Sequence, residues 1–158
     1  MGLKSDRAQR DLKTAKALTY TCYQMYARMP TGLAPELVHF YPELSADSDK
    51  YNILRPETVE SFYILNKLTG DPIYREWGWE IFLAFEKYSK TKIAYGSVHN
   101  IMNTDGEGNI EDRMESFFLA ETLKYMYLLF DPDTEVDILN KVSAMHKVEL
   151  STIPIACN

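Results

Sequence analysis

Cysteine is scarce: Cys22 and Cys157 are the two in 158 residues, too few for a disulfide framework. Long apolar runs are missing too, so the sequence as written is expected to carry no signal peptide, membrane span or other address to the secretory pathway. Positive charge is in deficit, with 17 Lys and Arg against 23 Asp and Glu for a net charge of −6. No basic stripe exists to neutralise phosphates, which argues against a nucleic-acid partner. What the surplus of carboxylates leaves open is a cation site or a neutral substrate.

Aromatic residues are plentiful. Eleven Tyr, seven Phe and two Trp, in a chain that is 46% hydrophobic, can fill a core, and rings of this kind also serve sugar-binding clefts as stacking surfaces. The length suits one domain with a real core, or a piece of a larger one.

Residues from about Asp6 to Met29 read as one amphipathic helix, in which Leu12, Ala15, Leu18, Cys22, Met25, Tyr26 and Met29 recur at three- and four-residue steps before Pro30 stops it. Cys22 on that face reads as a small hydrophobe. A turn-rich loop then presents Glu36, and the polar, Ser/Asp-rich stretch from Pro42 to Tyr51 reads as a surface excursion. A second helix is predicted from about Pro56 to Leu68. Its apolar positions Val59, Phe62, Ile64, Leu65 and Leu68 surround most of the circumference, which predicts burial on several sides. Gly70 closes it and Asp71-Pro72 opens a third helix that runs to about Tyr88, so the two form an antiparallel hairpin. Between 92 and 110 the pattern becomes imperfect alternation followed by a turn cluster, predicting a short strand and a loop. Asp105 to Glu111 does not meet the ligand positions of an EF-hand. A fourth helix is predicted from about Asp112 to Phe130.

Two places carry chemistry. In Leu54-Arg55-Pro56-Glu57-Thr58-Val59-Glu60-Ser61, Pro56 fits the first helical position, and Glu57 and Glu60 lie one turn apart at the positive end of the helix dipole. Carboxylates held ionised there suit a general base or a cation ligand; they also suit the first turn of any soluble helix. On the fourth helix, Glu121 lies one turn from both Phe117 and Tyr125 on an aromatic face. Such an acid either meets a cation or hydrogen-bond donors, or sits at the margin of the stripe and reaches water.

Taken together, Leu54 to Ser61, Thr69-Gly70-Asp71-Pro72, Trp77-Gly78-Trp79-Glu80 and Asp112-Arg113-Met114-Glu115-Ser116-Phe117-Phe118-Leu119-Ala120-Glu121-Thr122-Leu123-Lys124-Tyr125 resemble the C-terminal third of glycoside hydrolase family 47. Thr21 to Tyr26 and Gly32 to Glu36 extend the likeness, which covers roughly residues 7 to 142. These are the class I α-1,2-mannosidases that trim N-glycans in the endoplasmic reticulum and Golgi. The resemblance implies an all-α fold, part of an (α/α)7 barrel built from antiparallel helix hairpins. It also implies calcium as cofactor, a high-mannose N-glycan as substrate and inverting hydrolysis by two carboxylates. By position, Glu57 is expected to be the general base, Arg55 to hydrogen-bond the mannose and Phe117 to pack against the sugar ring. Glu36 is expected to line the substrate pocket, with Glu60 and Glu121 holding calcium through water. A membrane anchor belongs only to the N-terminal region of a full-length relative.

The family's general acid is expected in helices that precede anything present here. After Asp137-Ile138-Leu139-Asn140-Lys141-Val142 the family's closing Phe-Asn-Thr-Glu-Ala-His-Pro, whose Thr ligates calcium directly, is replaced by Ser143-Ala144-Met145-His146 and onward. The expectation is therefore a catalytic-domain piece over 1–142 with a divergent tail over 143–158, an inactive product of a truncated gene model or splice form. Two alternatives stand beside it: a non-catalytic helical fragment that binds a partner or glycan, and a degradation-enhancing mannosidase-like protein of the same family. The Trp77-Gly78-Trp79-Glu80 stretch favours the endoplasmic-reticulum processing type over the latter.

Overall fold

Ser5 starts the first helix by accepting a hydrogen bond from the Ala8 N–H at 3.2 Å, satisfying one of the donors that a helix start leaves unpaired. In this computed structural model the described residues are 4–39, 49–106, 108–131, 133, 134 and 136. The tail 143–158 with Cys157, and most of the polar stretch 42–51, lie outside them. Four α-helices follow in order: α1 Asp6–Ala27, α2 Glu57–Thr69, α3 Ile73–Tyr88 and α4 Lys124–Phe130. A π-helical stretch, Phe118–Leu123, leads directly into α4.

α2 is the centre, packed against α1, α3, the π stretch and α4. Of the positions expected to be covered, Val59, Phe62 and Leu65 are nearly or fully buried and Tyr63 joins them, but Ile64 is half-buried and Leu68 is 42% exposed in the last turn. Gly70 then ends the helix with a left-handed φ of 70°, and its N–H donates to the Asn66 carbonyl at 2.8 Å. Asp71 caps α3 through its Oδ1, which accepts from the Ile73 N–H at 3.1 Å, so the hairpin turn satisfies itself. On α3, Gly78 permits close approach to α4: a Cβ there would lie 2.5 Å from Leu129 Cδ2.

α1 lies along one side of this hairpin. Tyr23 fastens it, its ring stacked on Trp77 with centroids 4.4 Å apart and planes 9° apart, while its hydroxyl donates to Glu80. An aromatic pair of this kind adds about 1 kcal/mol beyond the area it covers. Leu18, counted with the apolar face in the sequence reading, is 63% exposed. The buried line runs through Leu12, Ala15, Thr19 and Tyr26, and Leu18 is a helical step outside it.

Two other expectations change. The strand foreseen between 92 and 110 becomes a loop joined by the single-residue bridges Lys90–Tyr95, Asn52–Val98 and Val98–Ile110. The fourth helix does not begin at Asp112, because the backbone there is committed to that loop: Ser97 N–H donates to the Arg113 carbonyl at 3.1 Å and Glu111 N–H to the Ser97 carbonyl at 2.8 Å. Helical turns begin only at Ser116.

Gly70→Ala tests the hairpin turn. No atom lies within 4 Å of the added Cβ, so the cost is that of a left-handed backbone alone, about 1 kcal/mol. In urea unfolding the midpoint is expected to fall with an unchanged slope.

Candidate active site

Leu54 turns the chain into α2 with a φ of 66°, the one non-glycine left-handed backbone among the described residues, and it is fully buried. That turn swings Arg55 outward, where its side chain is half-exposed, while Pro56 is buried at the helix start. Arg55 Nε donates to Glu36 Oε2, and Arg55 Nη1 lies 3.9 Å from Glu57 Oε1. Glu36 is the more covered acid, with 16% of its side chain exposed against 66% for Glu57. The loop also holds Glu36 from behind, since its Oε1 accepts from the Ile53 N–H at 3.2 Å. The Glu36 hydrogen bond is the largest influence raising the Arg55 pKa, and the charges of Glu57 and Glu115 act the same way.

A second group lies one turn further along α2. Tyr125, buried on α4, donates its hydroxyl to Glu60 Oε1 at 2.6 Å. Burial pushes the Tyr125 phenol well above its ordinary range, the Glu60 hydrogen bond adds to this, and the charges of Glu60 and Glu121 raise it further. Tyr125 is therefore bonded to the acid of α2 and feels the charge of the acid of the π stretch. Beneath Glu36 and Glu57, the buried Tyr26 phenol is raised chiefly by burial; a Thr58 hydrogen bond opposes this, and the two carboxylate charges reinforce it.

Glu36, Arg55 and Glu57 are thus brought together in one set, and in another the Tyr125 phenol is bonded to Glu60 and feels the charge of Glu121. Phe117 caps the π stretch, half-buried, and joins none of the aromatic pairs among the described residues; its neighbour Phe118 packs edge-on against Phe85 with centroids 6.1 Å apart. Among the described residues no three Asp, Glu, His or Cys side chains converge on a point suited to a metal. The acids present turn instead to an arginine and a phenol.

The sequence reading missed the rim that leads away from Arg55. Arg113 Nη2 lies 2.6 Å from Glu115 Oε1, its Nη1 is 3.9 Å from Glu111 Oε1, and Glu111 accepts the Tyr51 hydroxyl. Charges alternate from Arg55 through Glu115 and Arg113 to Glu111. The partners span as many as 60 residues, and no local spacing reveals such a pairing.

Comparison with known proteins bears on this arrangement. A model of glycosyl hydrolase family 47 matches residues 1–145. The chain belongs to that family. Among family 47 proteins, the mouse endoplasmic reticulum mannosyl-oligosaccharide 1,2-alpha-mannosidase is 42% identical over 163 residues, covering 98% of this chain and 24% of that protein. Its Schizosaccharomyces pombe counterpart is 44% identical over 138 residues, covering 82% and 26%. The alpha-1,2-mannosidase from Trichoderma reesei superposes with a TM-score of 0.72 at 28% identity, over 89% of this chain and 32% of that structure. The all-α hairpin architecture expected of an (α/α)7 barrel piece is the one observed. The chain spans about a quarter of the length of the curated family 47 relatives it matches.

The rim can be tested by titration. The Tyr51 hydrogen bond is the first cause holding the Glu111 carboxyl below its ordinary range, so Tyr51→Phe is expected to move that titration up. A depressed carboxylate stabilises the fold above its unfolded pKa, and that contribution fades as pH falls through the folded value. In the variant the acid-side loss is therefore smaller and is complete at a higher pH. Carbon-13 NMR of the Glu111 carboxyl checks this directly.

Proposed function

We propose that this chain supplies the base-bearing part of an α-1,2-mannosidase site, acting on terminal α-1,2-linked mannose of high-mannose N-glycans in the endoplasmic reticulum. The observation that carries the proposal is the set at the start of α2. Glu57 is the open acid beside Arg55, whereas Glu36 is held by Arg55 and Glu60 by Tyr125.

In this reading Arg55 donates hydrogen bonds to the sugar hydroxyls and Phe117 packs on the ring. Glu57 takes a proton from a water molecule as that oxygen bonds to the anomeric carbon on the face opposite the glycosidic oxygen. The carbon–oxygen bond breaks and the leaving oxygen receives a proton from a second carboxylic acid on the other face. That acid comes from another part of the assembled domain. Glu60 and Glu121 would meet a calcium ion only through water, and no step is drawn through it. No helix among the described residues is long and apolar enough to cross a membrane.

The test is release of mannose from α-1,2-linked mannobiose. The 158-residue chain alone is expected to give none. A hybrid in which residues 7–142 replace the matching part of the mouse relative, which keeps its own closing segment, is expected to turn over, and Glu57→Gln in that hybrid to lower kcat by about 10³-fold. A loss of less than tenfold refutes the role of Glu57. So does a hybrid that melts cooperatively yet is no more active than its Glu57→Gln variant.

A further inference from the structure

We infer that Thr122 is a positioning residue that holds the Arg55–Glu57 turn in register with Glu121. This rests on the reading of Glu57 as the base, and deepens it by naming what fixes its place. Thr122 immediately follows Glu121 in the π stretch, and its hydroxyl donates to the Leu54 carbonyl at 2.7 Å. Both residues are fully buried, and 68 positions separate them.

Leu54 is the residue whose backbone most needs such a hold. A bulky side chain at a φ of 66° is a rare conformation that persists only where its surroundings over-determine it. Two hydrogen bonds do so. On one side the Leu54 N–H donates to Asn52 Oδ1 at 3.0 Å, a local turn of the kind Asn makes anywhere. Asn52 is itself buried and pinned, its amide donating to the Ala34 carbonyl at 2.7 Å and its backbone pairing with Val98. On the other side the partner is Thr122, the only one of the two that comes from the element bearing Glu121. Remove its hydroxyl and a buried carbonyl loses its donor, next to a strained turn that is free to relax. Arg55 follows that turn directly and Glu57 comes two residues later. A second hydrogen bond between the elements, Tyr125 to Glu60, holds α2 one turn further along than the Leu54 turn.

The consequence is a coupling that acts through geometry and touches no substrate. Misplacement of reacting groups by about 1 Å costs on the order of 10²-fold in rate. In the hybrid enzyme, Thr122→Val, which keeps shape and loses the hydroxyl, is expected to lower kcat by about that factor while KM changes less than kcat. Thr122→Ser, which keeps the donor, is expected to recover kcat to within about fivefold. Both are read at a temperature where circular dichroism shows each variant folded. In the 158-residue chain, Thr122→Val is also expected to speed amide hydrogen exchange at Leu54 and Arg55, and Thr122→Ser to restore it.

An unchanged kcat in Thr122→Val, where Glu57→Gln is inactive, overturns the inference and spares the base. Failure of Thr122→Ser to recover activity overturns it as well. If Glu57→Gln keeps its activity the base assignment falls, and the exchange measurement then decides alone whether Thr122 fixes the turn: unchanged exchange at Leu54 and Arg55 refutes it.

Discussion

Everything at this site follows from the burial of α2. α2 is covered by α1, α3 and α4 along much of its length, and its two acids lie in its first turn. The segment that feeds the helix cannot rely on water for its backbone groups, because Asn52 and Leu54 are buried. It relies on side chains instead: the Asn52 amide reaches the Ala34 carbonyl, its carbonyl oxygen takes the Leu54 N–H, and Thr122 serves the Leu54 carbonyl. A buried loop must be satisfied in this way group by group, and the result is a rigid platform for Arg55 and Glu57.

Crowding acids on such a platform is opposed by their mutual repulsion, and the structure answers each one differently. Glu36 has the guanidinium of Arg55 and a backbone N–H. Glu60 has a phenol whose own ionisation is suppressed by burial and by the neighbouring charges, so Tyr125 stays a donor through the physiological range. Exposed pairs of this type stabilise little, and half of the Arg55 side chain is open to solvent. Their value lies in orientation. A charge network of modest energy fixes where each carboxylate points, and that matters for chemistry more than for folding.

The helices were legible in the sequence because their signals are local. Gly70 and Asp71-Pro72 mark the α2–α3 turn in three adjacent residues, and the apolar spacing of α2 states its burial on several sides. Glu36, Arg55 and Glu57 were named from a motif, and their meeting depends on a contact across 19 residues that no spacing displays. Thr122 carries no signal beyond its place in the motif, and Tyr125 stands on the aromatic face expected of the fourth helix. Their hydroxyls reach Leu54 and Glu60 across more than 60 residues, so what they do is a property of the tertiary fold. The start of the fourth helix was placed too early for a related reason: residues 111–113 look helical, and long-range backbone pairing with Ser97 overrides that preference.

The π stretch brings these strands of reasoning together. Phe118 must reach inward to Phe85 and Tyr95, Thr122 to Leu54, and Tyr125 to Glu60, and a regular α-helix beginning at Asp112 would place none of them under the constraint of the loop that precedes it. A wider turn accommodates an entry point set by the bridged loop and a packing face set by α2 and α3, and π-helical turns recur where a helix carries functional groups. Glu121 rides on that turn between two buried anchors, with a phenol one turn away that it acts on electrostatically. Its place relative to Glu57 is therefore decided by hydroxyl groups and ring packing rather than by direct contact between the two acids. Carboxylates that repel one another are best held by third parties, and here the third parties are Thr122 and Tyr125.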